Sequence, residues 1–206
     1  MTYQKITLAL CAATALLAAM ASQAGYVSYT SADRSAGLSD AINVVTGPGN
    51  ASQNVINAEI PTGDASDPWV EKGSVAGGNS GPGSLTDGLL TVVVTTGNWG
   101  SGGPLTGTWT INDPSFWTTY GFAAISLHVG NGNGDPDHWI WNITTGALTG
   151  SWDYEDFDGR GGGLSNLKLF SHGEGTTTVV PDGGASLALM GLSLLGIGVS
   201  RRLLAK

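Results

Sequence analysis

The chain has 206 residues, 41% of them hydrophobic and only 12% charged, with 8 Lys and Arg against 16 Asp and Glu. That length suits one domain with a substantial core, and a net charge of −8 excludes nucleic-acid binding because the bases cannot neutralise a run of phosphates. Thirty-three Gly and a single Cys exclude a coiled coil and a disulfide-stapled scaffold.

Residues 1–24 read as a secretory signal peptide. Lys5 supplies the positive start, Ile6 to Met20 is almost unbroken apolar sequence, and small-residue cleavage sites follow at Ala19-Met20-Ala21 and Ser22-Gln23-Ala24. The only cysteine, Cys11, lies inside this segment after Leu10, where a lipoprotein cysteine needs a small residue. Cleavage leaves a chain without cysteine, so the exported domain has to stand on its hydrophobic core.

Residues 25–172 read as one Gly-rich β domain. Between residues 25 and 180 there are 15 acids and 4 bases, a net −11, together with all seven tryptophans. Short strand-like runs recur between Gly, Asn, Asp and Pro clusters: Ile42–Thr46, Asn54–Ile60, Leu89–Thr96, Leu105–Ile111, Phe116–Val129, His138–Thr144, Leu148–Tyr154 and Leu164–Phe170. Leu105, Gly107, Trp109 and Ile111 alternate with threonines. Ile125, Leu127 and Val129 oppose Ser126 and His128, and Trp139, Trp141 and Ile143 oppose His138 and Asn142. This pattern predicts an all-β, β-sandwich or jelly-roll-like ectodomain with Trp109, Ile125, Leu127, Trp139 and Trp141 in its core. Leu105-Thr-Gly-Thr-Trp109 recurs as Leu148-Thr-Gly-Ser-Trp152, read as two strands with similar turn entry rather than a solenoid. Gly73–Asp87 reads as an exposed loop, and residues 173–179 as a linker.

The last segment is Val180-Pro181-Asp182-Gly183-Gly184, the apolar stretch Ala185 to Ser200, and a basic end that includes Arg201 and Arg202. As a helix the apolar stretch is about 24 Å long, enough to span when its flanks snorkel, and the arginines place the tail in the cytoplasm. Short motif, apolar helix and terminal basic cluster together resemble the PEP-CTERM sorting signals, in the variant whose signature begins Val-Pro-Asp-Ser-Gly. Gly183 stands here where that variant has Ser. The resemblance implies a membrane anchor that is cut near Pro181 by exosortase, a membrane-embedded peptidase of Gram-negative bacteria that make extracellular polysaccharide. The protein is then released or attached at the cell surface. The ectodomain also resembles the β-sandwich domains found ahead of such tails, through Gly107-Thr-Trp109, Trp117-Thr-Thr-Tyr120-Gly-Phe122 and the closing strand Gly163 to Phe170. Asn166 stands here where that group commonly has His.

Candidate sites are sparse. Three scattered His, four Glu and no cysteine after cleavage give no nucleophile or acid–base pair at recognisable spacing, so no enzyme is expected. Glu71 with Glu155, or Ser126 and His128 with an Asp, are combinations that spacing alone does not support. Asn131, Asn133, Asp135 and Asp137 place oxygen side chains at alternating positions, as a calcium loop does. Asp153, Glu155, Asp156 and Asp158 put four carboxylates within six residues. The plainer account of both runs is a hairpin turn. Trp69 and Trp99, beside turns, are candidate glycan contacts, because indole faces stack on sugar rings. The chain thus reads as an exported surface or matrix protein with a structural or adhesive role toward extracellular polysaccharide. The alternatives are a secreted polysaccharide-active enzyme and a calcium-dependent carbohydrate-binding module.

Overall fold

The structure, a computed structural model, describes residues 25–77, 81–130, 135–157 and 163–175. The alternation seen in the sequence becomes strands β1 (Gly25–Thr30), β2 (Arg34–Gly47), β3 (Val70–Val75), β4 (Gly83–Asp87) and β5 (Leu90–Thr96). They are followed by β6 (Leu105–Ile111), β7 (Tyr120–Val129), β8 (His138–Ile143), β9 (Thr149–Asp156) and β10 (Leu164–Glu174). Two short helices, α1 (Gln53–Glu59) and α2 (Phe116–Thr119), interrupt them. Every pairing is antiparallel, in one sheet of order β3-β10-β7-β8-β2-β9-β6-β5-β4, with β1 added on β2. The described domain is all-β.

The two Leu-Thr-Gly-x-Trp segments are neighbours. β6 and β9 pair so that Gly107 stands opposite Trp152 and Trp109 stands opposite Gly150. A Cβ on Gly107 would lie 2.6 Å from the Trp152 indole, and one on Gly150 would lie 2.7 Å from the Trp109 indole. Each glycine is the floor on which the opposite strand's indole rests. These indoles join Trp99, Trp139 and Trp141, all fully buried, and the five fill the interior together with Leu38, Leu127 and Leu167.

The sheet curls until its ends almost meet. The Leu89 N–H donates to the Lys72 carbonyl at 2.9 Å, and the Asp87 carboxylate accepts the Ser74 N–H at 2.9 Å. Gly88, at φ +55°, permits this approach: any Cβ there would strike the Lys72 carbonyl oxygen. Asp87 thus occupies a β3 edge donor that would otherwise lack a partner strand.

Three readings change. Asn54–Ile60, expected as a strand, is α1, started by Ser52, whose Oγ accepts the Val55 N–H at 3.4 Å. Ile56 and Ile60 share one side at helical spacing and pack on the outside of the sheet against Ala124, Ile140, Phe170 and Trp69. Gly73–Asp87, expected as a loop, contains the end of β3 and all of β4. The first residues of Phe116–Val129 form α2 before β7 begins. With α1 against it, much of the outer face of β7, β8 and β10 is buried as well, including Ser126 and His138, while Phe122 stays exposed. β10 runs to Glu174, into the expected linker. Among the described residues no helix is long and apolar enough to cross a membrane, and Ala185 to Ser200 lies outside them, as does the signal segment 1–24.

Removing an indole leaves a cavity, and a typical buried Trp→Ala change costs about 3–5 kcal/mol. Trp141→Ala and Trp109→Ala should each lower the unfolding free energy read from urea denaturation by that amount, and so should Trp99→Ala. Gly107→Ala should also destabilise through overpacking, whereas Thr108→Ala, exposed on the same strand, should be nearly neutral.

Candidate functional site

The tryptophans expected at the surface are not there. Trp69 is 2% and Trp99 1% exposed. Trp99 donates from Nε1 to the Ser165 carbonyl at 3.2 Å and meets Trp152 edge-on, so its turn folds inward over the core. Trp69 donates to the Ile60 carbonyl at 2.7 Å and packs beneath the 60–69 segment. Trp152 is buried too, and Trp117 is half-buried with its Nε1 on the Ala147 carbonyl at 2.8 Å.

The described members of the acidic runs form no ligand cluster. Asp137 receives the Gly49 N–H at 2.8 Å on one oxygen and lies 3.2 Å from Arg34 Nη1 on the other. Arg34 is fully buried and also donates to the Pro136 carbonyl at 3.0 Å, so Asp137 neutralises a buried guanidinium. Asp135 is exposed, and its N–H reaches the Asp33 carboxylate at 3.4 Å. Asp153, Glu155 and Asp156 belong to β9 rather than to a turn, with Asp153 and Glu155 on one face and Asp156 on the other. Burial, and then the charge of Glu155, raise the Asp153 carboxyl above its usual range. Asn131, Asn133 and Asp158 lie outside the described residues, as do Val180, Pro181, Asp182, Gly183, Gly184, Arg201 and Arg202. Among the described residues no three His, Asp or Glu side chains converge as metal ligands.

The catalytic combinations also come apart. Glu71 accepts from Lys168 Nζ at 3.0 Å on β3, and β10, β7, β8 and β2 lie along the sheet between it and Glu155 on β9. Ser126 is buried and its Oγ has no hydrogen-bond partner, while His128 Nδ1 faces the Asn166 amide at 3.3 Å rather than a carboxylate. Asn166 thus occupies a cross-strand position beside His128, within a polar strip under the edge of α1.

That strip fastens α1. His138, fully buried, has Nδ1 2.9 Å from the Gly49 carbonyl and Nε2 3.0 Å from the Glu59 carboxylate. Asn57 adds a second clasp: its Oδ1 accepts the Trp69 N–H at 2.8 Å, and its Nδ2 donates to the Trp69 carbonyl at 3.2 Å.

Beside α1 the outer surface opens into a cavity of about 360 Å³ that the sequence did not announce. The β2–β8 register slips between Ala41 and Asn43, and the intervening Ile42 is turned outward, 61% exposed, at the rim. Phe122, 58% exposed, stands on the facing wall. It is paired across the sheet with His172, and the two rings stack at 4.6 Å and 8°. Asp67 holds His172 by accepting from Nδ1 at 3.2 Å and takes the Gly173 N–H at 3.0 Å on its other oxygen. Those contacts, the Gly173 N–H first, keep the Asp67 carboxyl below its usual range. Trp69 meets His172 edge-on at 4.2 Å from behind. Phe122 is an exposed ring on a fixed mount. Asn142, Thr62 and Thr145 supply polar groups to the same cavity, and the Asn142 Oδ1 has no donor. Phe122, Asn142 and His172 escaped the sequence reading because only strand register brings them together.

The half-buried His128 gives this region a measurable titration. Burial pulls its imidazole below the usual value; Asp137 opposes this, while His138 and Lys168 add to it. The unfolded chain takes up a proton near pH ~6.5 where the folded one resists, so stability should be full above that value and fall on its acid side. In His128→Gln, urea midpoints measured down the pH scale should lose that part of the decline. An unchanged decline would place the titration elsewhere.

No protein-family model matches the chain, and no curated protein or solved structure matches it either.

Proposed function

We propose that this chain is an exported cell-surface or matrix protein with a structural or adhesive role toward extracellular polysaccharide, and that it is not an enzyme. Export rests on the signal-like residues 1–24. Anchoring and exosortase processing rest on the PEP-CTERM-like segment 180–206 with its apolar helix. The β domain, sandwich-like across its indole-filled interior, is the part left after both cuts. Gly25 already pairs with Ala41, so removal of residues 1–24 leaves β1 whole. The compact unit ends at Gly175, ahead of Val180, so cleavage near Pro181 spares it.

The observation that carries the binding role is the exposed Phe122 ring, backed by His172, at the wall of a cavity with no Asp, Glu, Lys or Arg in its lining. Such a surface holds a ligand and offers no carboxylate pair to hydrolyse it. Polysaccharide cosedimentation and hydrolysis assays on the same preparation test this. Retention without release of reducing ends is the expected result, and hydrolysis above the background of a mock preparation would overturn it.

Processing is tested separately. A Pro181→Ala, Arg202→Ala variant expressed beside exosortase should keep its C-terminal tail, read as an unreduced mass. Normal trimming of that variant would remove the sorting reading.

A further inference from the structure

We infer that the Phe122 cavity is a subsite for one uncharged pyranose residue of a polysaccharide chain, an inference that rests on the polysaccharide reading above. A pyranose presents a face of C–H groups and an edge of hydroxyls, and a site that takes it needs an aromatic plane beside donors and acceptors. Phe122 supplies the plane. Its ring is more than half exposed, yet His172, held by an Asp67 that the Gly173 N–H anchors in turn, fixes its orientation before any ligand arrives. That preorganisation reduces the entropy lost on binding. Ile42, placed on the rim by the β2 bulge, widens the apolar surface.

The polar side of the cavity matches hydroxyls rather than charges. Asn142, Thr62 and Thr145 line it and set polar groups beside the apolar ring, the partners that a hydroxyl edge needs. A volume of about 360 Å³ is near the lower end for small-ligand sites and suits a single sugar ring, not a helix or a strand. Charge selects within that class. No Lys or Arg lines the cavity, the His172 beside it is paired with Asp67, and residues 25–180 carry 15 acids against 4 bases, so a uronate polymer is repelled where a neutral one is not.

The test uses the full chain purified in a detergent without a sugar headgroup. It is titrated calorimetrically with neutral gluco-, manno- and galacto-oligosaccharides and with oligogalacturonate. At least one neutral series should bind, and oligogalacturonate should bind more weakly. Phe122→Ala should lose about tenfold or more in affinity at an unchanged melting temperature, and Phe122→Trp should restore it. Asn142→Ala, on the polar side, should weaken the same ligand and keeps the test decisive if Phe122→Ala alters folding. Equal binding by wild type and both alanine variants, or tighter binding of the uronate, would overturn the inference. If insoluble extracellular polysaccharide retains wild type and Phe122→Ala alike, the subsite falls while the adhesive role stands. Retention of neither removes both.

Discussion

The interlock of two glycines with two indoles is the constraint on which the domain depends. β6 and β9 lie at the centre of one half of the sheet, and their register is the one that seats Trp152 over Gly107 and Trp109 over Gly150. A slip of β6 by one residue would turn Trp109 to the outside and put the β6 threonines in the core. With no disulfide in the described domain, this register has to be held by shape. It also fixes β5 and β2 on either side, and through β2 the strands β8, β7 and β10 that carry the outer-face cavity.

A second layer follows from the same sheet. Strands that alternate cleanly normally leave one face to water, yet β7, β8 and β10 are covered on the inner face and over much of the outer one. The inner face meets the indoles, and the outer face meets α1 and Trp69. The polar residues trapped between are managed in pairs. His138 is clasped by Gly49 and Glu59, and Lys168 by Glu71. Arg34 plays the corresponding part at the far end of β2, with Asp137 and Pro136 as its partners. Polar contacts thus orient the covering layer, and apolar contacts hold it down.

Much of the strand content was legible because alternation is local. Leu105–Ile111 could be read to the residue, and the five core residues expected on apolar faces are all buried. What stayed hidden depends on partners far along the chain. Asn54–Ile60 has strand-like composition, and only the apolar outer face of β7 and β8 beneath it makes a helix the better solution. Glycines around Trp99 announce a turn without saying that the turn closes over the core. The Leu-Thr-Gly-x-Trp repeat was visible as a repeat, but its meaning, each glycine making room for the other copy's tryptophan, appears only with the pairing. The cavity is the extreme case, since Ile42, Phe122, Asn142 and His172 come from four strands.

The strand order bears on when the chain is able to fold. β3 finds its ladder partner in β10, the last strand, and β2 waits for β8 and β9 beyond residue 137. Before those segments are available, the first seventy-five residues have only the β1–β2 hairpin as a complete sheet pairing. Until the C-terminal strands are available, a growing chain of this topology can form its local hairpins but not the long-range closures that complete the sheet.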